Sequence, residues 1–265
     1  IVPTQRDKRC SFNVNANTVA QMKTSLASLG LRHTSQILAE LIDYAESQRL
    51  SYREFLALLI EKELGERNER RRKRNLAGAH FPPNPRPLEE FDTGELEGGI
   101  TATQLYQLKD LNWIDAHSNI LFLGPPGIGK TMLAVGLGLE AVNAGYSVCF
   151  ERMSSLVEIM ETARTSRASS FRLRRIRRTD LLIVDEIGFT PIKREQANSF
   201  FNLISEMYER TSIIFTTNKD IGEWAEVMGD PVLTTALLDR ILHHSKCFSL
   251  RGESYRIKHP KEELL

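Results

Sequence analysis

"GPPGIGKT", residues 124–131, is the stretch that decides the fold. Glycines at 124, 127 and 129 let the backbone wrap closely with its N–H groups turned inward, and a helix starting behind them adds positive potential. Lys130 supplies a point charge for β- and γ-phosphates, and the Thr131 hydroxyl suits a Mg²⁺ ion. The expected nucleotide contacts are therefore Gly124, Pro125, Pro126, Gly127, Ile128, Gly129, Lys130, Thr131 and Met132. The apolar run "NILFLG" precedes the loop and the helix-forming "MLAVGLGLEAV" follows it, which is the strand–loop–helix context this chemistry needs.

Outward from the loop, "YSVCFER" (146–152), "DLLIVDE" (180–186), "SIIFTTN" (212–218) and "KCFSL" (246–250) alternate with helical stretches. Short, near-continuous apolar strands between helices predict an α/β domain with a parallel five-stranded sheet covered by helices on both faces. Asp185 then stands at the carboxyl end of a buried strand, where open α/β sheets bind ligands. With Thr131 it is the expected Mg²⁺ holder. Glu186 beside it is expected to orient or deprotonate an attacking water, because phosphoryl transfer needs positioning and charge control more than covalent chemistry. Thr216, Thr217 and Asn218 end the fourth strand, either for turn reasons or, for Asn218, to contact the γ-phosphate or the water. Arg240, in "TTALLDRILHH", reads as a surface ion pair with Asp239 or a neighbour, or as an arginine reaching another subunit's nucleotide.

The front end differs in texture. Ile37, Leu38, Leu41, Ile42 and Ala45 recur at helical spacing, and Ser51 with Glu54 forms a capping box that opens a second helix. That helix ends in "RNERRRKRN", whose Arg70, Arg71, Arg72, Lys73 and Arg74 are either a solvated helix end or an arm for phosphates. Residues 81–99 hold four of the chain's 10 prolines, a composition that excludes helix and marks a linker. The expected organisation is a polar leader at 1–21 outside the fold, a helical domain at 22–76, a linker at 77–100, the nucleotide-binding domain at 101–258 and a tail at 259–265. Thirty-five basic and 34 acidic residues nearly cancel, so any nucleic-acid affinity must come from local clusters. Three cysteines without a CxxC pair argue against a disulfide framework or a zinc site built on them and fit a cytoplasmic setting. No apolar run approaches a membrane span.

The strongest cluster lies just before the third strand and its acids. From Arg164 to Arg178 there are seven arginines, Arg164, Arg167, Arg172, Arg174, Arg175, Arg177 and Arg178, and no acid. In a helix over 170–178, Leu173 and Ile176 face the sheet while Arg172, Arg174, Arg175 and Arg178 fan away. Without i, i+4 acid partners the cluster repels itself unless phosphates neutralise it, which favours a DNA-tracking surface over a merely wet helix face.

Taken in order, "GPPGIGKT", "DLLIVDEIG", "SIIFTTN", "LLDRILHHS" and "RGESYRIK" resemble the AAA+ initiator group, which holds the DnaC-type helicase loaders and the IstB-type helper ATPases of insertion sequences. The last two motifs make the chain more similar to IstB. The resemblance implies a P-loop AAA+ core behind a small all-α N-terminal domain, ATP and Mg²⁺ as ligands, and hydrolysis at sites between subunits of a homo-oligomer on duplex DNA. It also implies Asn218 as sensor one, Arg240 as a finger acting in trans, and a partner transposase directed to remodelled DNA. Only 15 residues follow the last strand, too few for the usual C-terminal helical lid, so Arg251 and Arg256 have no clear role as the lid's sensor. Two other functions fit the motifs: a helicase loader, which predicts single-strand preference, and a nucleotide-gated adaptor with negligible hydrolysis.

Overall fold

The computed structural model describes residues 18–255. The chain forms two compact units, one ending at Arg70 and the other beginning at Arg71.

The first unit contains α1 (Val19–Ser28), α2 (Arg32–Ser47) and the beginning of α3 (Tyr52–Ala79). The Thr18 amide donates to Gln21 Oε1 at 2.9 Å and the Gln21 amide to Thr18 Oγ1 at 3.4 Å. This capping box starts α1 inside the stretch read as a leader, so the leader reading extends too far. The expected box at Ser51 is present: its amide donates to Glu54 Oε2 at 2.7 Å and the Glu54 amide to Ser51 Oγ at 3.3 Å. Buried Glu63 joins α3 to α2 by accepting from the Thr34 amide (2.9 Å) and hydroxyl (3.0 Å). Burial alone would push its carboxyl pKa up, but the Thr34 donors and the Arg67 guanidinium at 3.0 Å hold it below the usual glutamate value.

In the second unit, β1 (Asn119–Leu123), β2 (Val148–Arg152), β3 (Leu181–Ile187), β4 (Ser212–Thr217) and β5 (Ser245–Ser249) form one sheet in the order β2-β3-β4-β1-β5. Every pairing is parallel, as expected. β1 and β4, in the interior of the sheet, are buried at every position. The face carrying Ile120, Phe122, Ile183 and Ile214 packs on α4 (Ala102–Lys109), α5 (Asn112–Asp115) and α6 (Lys130–Asn143). The opposite face, with Leu121, Val184, Ile213 and Phe215, packs on α7 (Met153–Thr162), α8 (Arg167–Ile176), α9 (Arg194–Met207), α10 (Trp224–Met228) and α11 (Pro231–His243). Two separate apolar cores with the sheet between them fix the strand ends in space, which is what a site at those ends requires.

Residues 77–100 differ from a simple linker. Ala77–Ala79 finish α3, and 3₁₀ turns form at Leu88–Glu90 and Thr93–Glu95. Proline density excludes an α-helix but not a three-residue 3₁₀ turn. Leu88 and Ile100 are buried in the same core as α6. Gly136 makes room for Leu88, since a Cβ there would stand 2.8 Å from Leu88 Cδ1. After β5 the chain turns back: the Arg251 amide donates to Gly98 O at 3.0 Å and the Tyr255 amide to Gly127 O at 3.0 Å. Among the described residues no helical lid follows β5, and no helix is long and apolar enough to cross a membrane. Arg256, a possible lid sensor in the sequence reading, lies outside the described residues.

Candidate nucleotide site and arginine surface

β1 delivers the chain into the loop at Gly124, and α6 begins at Lys130. Gly127 and Gly129 adopt φ of 82° and 98°, left-handed values that side-chain-bearing residues resist. A Cβ on Gly129 would stand 2.6 Å from the Phe91 ring, and one on Gly127 2.1 Å from Ser254 Oγ. The loop is therefore closed in by its own domain and could not carry larger residues. Lys130 Nζ donates to the carbonyls of Gly124 (2.7 Å) and Pro125 (2.8 Å), which holds the ammonium at the loop.

The acids sit where the sequence placed them. Asp185 is buried, with 2% of its surface exposed, and its Oδ1 accepts from Thr131 Oγ1 at 2.9 Å and Thr216 Oγ1 at 2.6 Å. Thr216 Oγ1 in turn accepts from the Glu186 amide at 3.0 Å. One hydroxyl of β4 thus ties together both acids of β3, and the Thr131 hydroxyl joins them to the first turn of α6. The register of β3 against β4 shifts between Val184 and Ile187, and Glu186 has φ of 62°. Such a left-handed residue inside a strand is strained and persists only where its surroundings fix it. Its effect is to bring the half-exposed Glu186 carboxylate to the cleft while Asp185 stays beneath it.

That cleft has a volume of about 870 Å³, enough for a nucleotide, and is lined by Pro126–Met132 together with Glu186, Thr216, Thr217 and Asn218. Gly124, Pro125 and Asp185 are not part of its lining, although Asp185 is hydrogen-bonded to Thr131 and Thr216, which are. One wall was not anticipated: Arg86, Glu90 and Phe91 of the proline-rich segment line the cleft, as do Glu253 and Tyr255. Composition gave no sign that a segment so rich in proline would fold back over the loop. Thr131 and Asp185 fit a divalent cation, because a hydroxyl and a carboxylate that already share a hydrogen bond present two oxygen donors at one point.

Arg152, at the end of β2, was also overlooked. Its Nε lies 3.6 Å from Glu186 Oε2, both side chains being about half exposed. The end of an adjacent strand is a position from which a side chain reaches the site, so "VCFER" carried the signal. A solvent-screened pair of this kind is worth about 0.2–1 kcal/mol. Removing it in an Arg152→Ala protein is expected to raise basal phosphate release roughly 1.4- to fivefold, the range that energy converts to. A steady-state phosphate assay without DNA reads the change, and unchanged or lower turnover would mean that the pair does not restrain Glu186.

Arg240 is absent from the cleft lining of its own chain. The ion-pair reading does not describe its contacts: no pair forms with Asp239, and the guanidinium lies 4.7 Å from the centre of the Phe201 ring while donating to Ala236 O at 2.9 Å.

The arginines divide into two groups. Ile176 docks in the core as expected, but Arg172 does not fan away. It is mostly buried, forms an ion pair with buried Glu151, and donates to the carbonyls of Gly78 and Phe150, each at 3.1 Å. Burial raises the Glu151 pKa and Arg172 counters it, so Arg172 is structural. The absence of acids within the segment was misleading because the partner comes from β2. Arg177 similarly pairs with Glu206 of α9 at 3.0 Å. Arg175 is half-buried against Gly78, where a Cβ would overlap its guanidinium, and with Arg172 it helps burial hold the His80 imidazole below its ordinary pKa. Arg164, Arg167, Arg174 and Arg178 remain exposed, and among the described residues no ion pair holds them. In the earlier basic run, Arg70 pairs with Glu66 at 2.7 Å; Arg70, Arg71, Lys73 and Arg74 are exposed and Arg72 is half-buried.

Residues 24–263 match the family described as IstB-like ATP binding protein. A Pseudomonas aeruginosa relative whose name assigns it to insertion sequence IS21 and to ATP binding is 37% identical over 242 residues, covering 91% of each chain. A Geobacillus stearothermophilus relative, assigned in the same way to IS5376, is 39% identical over 216 residues, which are 82% of this chain and 85% of that one. Among solved structures, DnaI superposes with a TM-score of 0.55 at 14% identity, covering 65% of this chain and 96% of that one. The replication initiator DnaA bound to AMPPCP and single-stranded DNA gives 0.52 at 21% identity, over 68% and 54%. Both structures speak to the fold, a P-loop AAA+ core.

Proposed function

Because the chain belongs to the family of IstB-like ATP-binding proteins of insertion sequences, we infer that it is an ATPase that oligomerises on duplex target DNA, remodels it and recruits the transposase of its own element. The observation that carries the hydrolytic part is the hydrogen-bonded line Thr131–Asp185–Thr216–Glu186 beside the loop. Binding falls to the loop amides and Lys130, which neutralise phosphate charge. Thr131 and Asp185 would hold Mg²⁺, which when bound supplies charge neutralisation at the β- and γ-phosphates. Glu186 accepts the proton of the attacking water or orients it, and Asn218 contributes a polar contact at the same end of the cleft. Arg240, outside its own chain's cleft, acts on the nucleotide of a neighbouring subunit, so the oligomer completes the site.

The DNA part rests on the exposed subset Arg164, Arg167, Arg174 and Arg178, with Arg71, Lys73 and Arg74 as a second basic stretch. Contacts of this type read phosphates rather than bases, so little dependence on target sequence is expected, and a protein of this kind acts in the bacterial cytoplasm. The test is ATP-dependent binding to duplex and single-stranded DNA of graded lengths, viewed by electron microscopy. The expected result is ATP-dependent assemblies on duplexes that lengthen with the DNA. Preference for single strands would favour a helicase loader and overturn the reading.

A further inference from the structure

At the far end of β1 from the nucleotide loop, three side chains converge that the ATPase reading does not use. His243 ends α11, His244 follows it, and Glu209 lies in the turn between α9 and β4. All three are exposed, and one ligand atom from each lies within 4.8 Å of the others. Consecutive residues rarely present both side chains to one point from inside a helix. Here the backbone leaves the helix at His244, with φ of −126° and ψ of 59°, and the two rings come to 4.1 Å between centroids. Glu209 Oε1 stands 3.7 Å from His244 Nε2. Its own backbone is left-handed, at φ of 55°, a conformation glutamate adopts only at a cost.

Two further observations suit a metal ligand set. His243 Nδ1 is hydrogen-bonded to the Tyr208 hydroxyl at 2.8 Å, which leaves Nε2 for a metal and fixes the ring, as outer partners do for metal-bound imidazoles. The supporting frame is also held together. Buried Asn119 donates to Ile241 O at 3.1 Å and accepts from the Ile213 amide at 3.0 Å, and its own amide donates to His244 O at 2.7 Å. Asn119 thereby links the end of α11 to the start of β4, the two places from which the three ligands project.

We propose that His243, His244 and Glu209 bind one divalent transition-metal ion of the zinc class, with an open coordination position facing solvent. Two imidazoles and a carboxylate suit zinc, and three protein ligands with one open position are a familiar arrangement for it. Around an ion with bonds of about 2.1 Å, tetrahedral ligand atoms stand about 3.4 Å apart. Exposed side chains reach this from 4.8 Å by rotamer adjustments of about 1 Å. The site is distinct from the Mg²⁺ position at Thr131 and Asp185, because the length of β1, about 3.3 Å per residue, separates them.

The experiment is calorimetric titration of the full chain with Zn²⁺, without nucleotide or Mg²⁺, with Co²⁺ as a spectroscopic substitute. One saturable ion per chain is expected, together with visible Co²⁺ absorption of a four- or five-coordinate site. Glu209→Gln and His244→Asn should each weaken affinity at least tenfold, and Cys247→Ser should not change it, excluding the exposed thiol as a ligand. If His244→Asn does not fold, the exposed Glu209→Gln protein decides alone. No saturable site in the wild-type chain, variants that bind as tightly as wild type, or loss of binding in Cys247→Ser would overturn the proposal. None of these residues belongs to the nucleotide cleft, so failure here leaves the ATPase reading standing, and the reverse holds.

Discussion

Phosphate release by a Glu186→Gln protein is expected to fall on the order of 10²- to 10⁴-fold, the usual contribution of a positioned general base, while ATP continues to bind. The geometry separates the two effects. The Glu186 backbone is fixed by the hydrogen bond its amide donates to the Thr216 hydroxyl at 3.0 Å, so Gln occupies the same place in the strained segment and removes the carboxylate's charge, with its pairing to Arg152, and its ability to take a proton. Binding is assigned to the loop and Lys130, whose hydrogen bonds to the Gly124 and Pro125 carbonyls do not involve Glu186. A single-turnover assay paired with equilibrium nucleotide binding reads both. Retained turnover would move the base elsewhere, and loss of binding would make Glu186 a structural residue of the cleft. Near-zero turnover in the wild-type protein, with and without duplex, would instead select the nucleotide-gated adaptor.

The second large effect concerns DNA. A combined Arg164→Ala, Arg174→Ala and Arg178→Ala protein is expected to bind duplex much more weakly and with a flatter salt dependence. If each arginine neutralises one phosphate, the slope of log K against log salt falls by about 2.7, at about 0.9 per contact. These three are chosen because they are exposed and free of ion pairs among the described residues. Arg172 is the contrasting control. Its replacement strands buried Glu151, so it should lower stability, by about 3–5 kcal/mol for a broken buried pair, before it says anything about DNA. Fluorescence anisotropy across a salt series gives the slopes, and equal slopes for the triple variant and wild type would remove this face from the DNA path.

The contrast between Arg172 and Arg174 also shows where sequence reading stopped. The loop, the order of the strands along the chain and the two acids were legible because each rests on local chemistry: glycines where φ is positive, a lysine at a helix start, acids closing an apolar run. The fate of each arginine was not, because its partner comes from β2 or α9, remote in sequence and close in space. Thr216 was visible as a polar strand end, yet its role as the hydroxyl between Asp185 and Glu186 depends on the register of β3 against β4. Phe91 and Arg86 gave no signal at all. Their place at the cleft follows from Leu88 packing against Gly136, a contact no pattern of hydrophobicity announces. Helix α1 was missed because a short, weakly apolar helix with no buried residue has little periodicity to detect, although the Thr18–Gln21 box was there to be read.

Duplex DNA bound on the arginine face is expected to control the acids at the end of β3. Arg178 is separated from Leu181, the first residue of β3, by only Thr179 and Asp180, a short connection through which a displacement of α8 by DNA would reach the strand that carries Asp185 and Glu186. The most direct test measures steady-state phosphate release with and without saturating duplex, in the wild-type chain and in the Arg164, Arg174 and Arg178 triple variant. Clear stimulation of the wild type is expected, and in the variant an unchanged basal rate with the stimulation lost. Stimulation that survives undiminished in the variant would contradict that expectation.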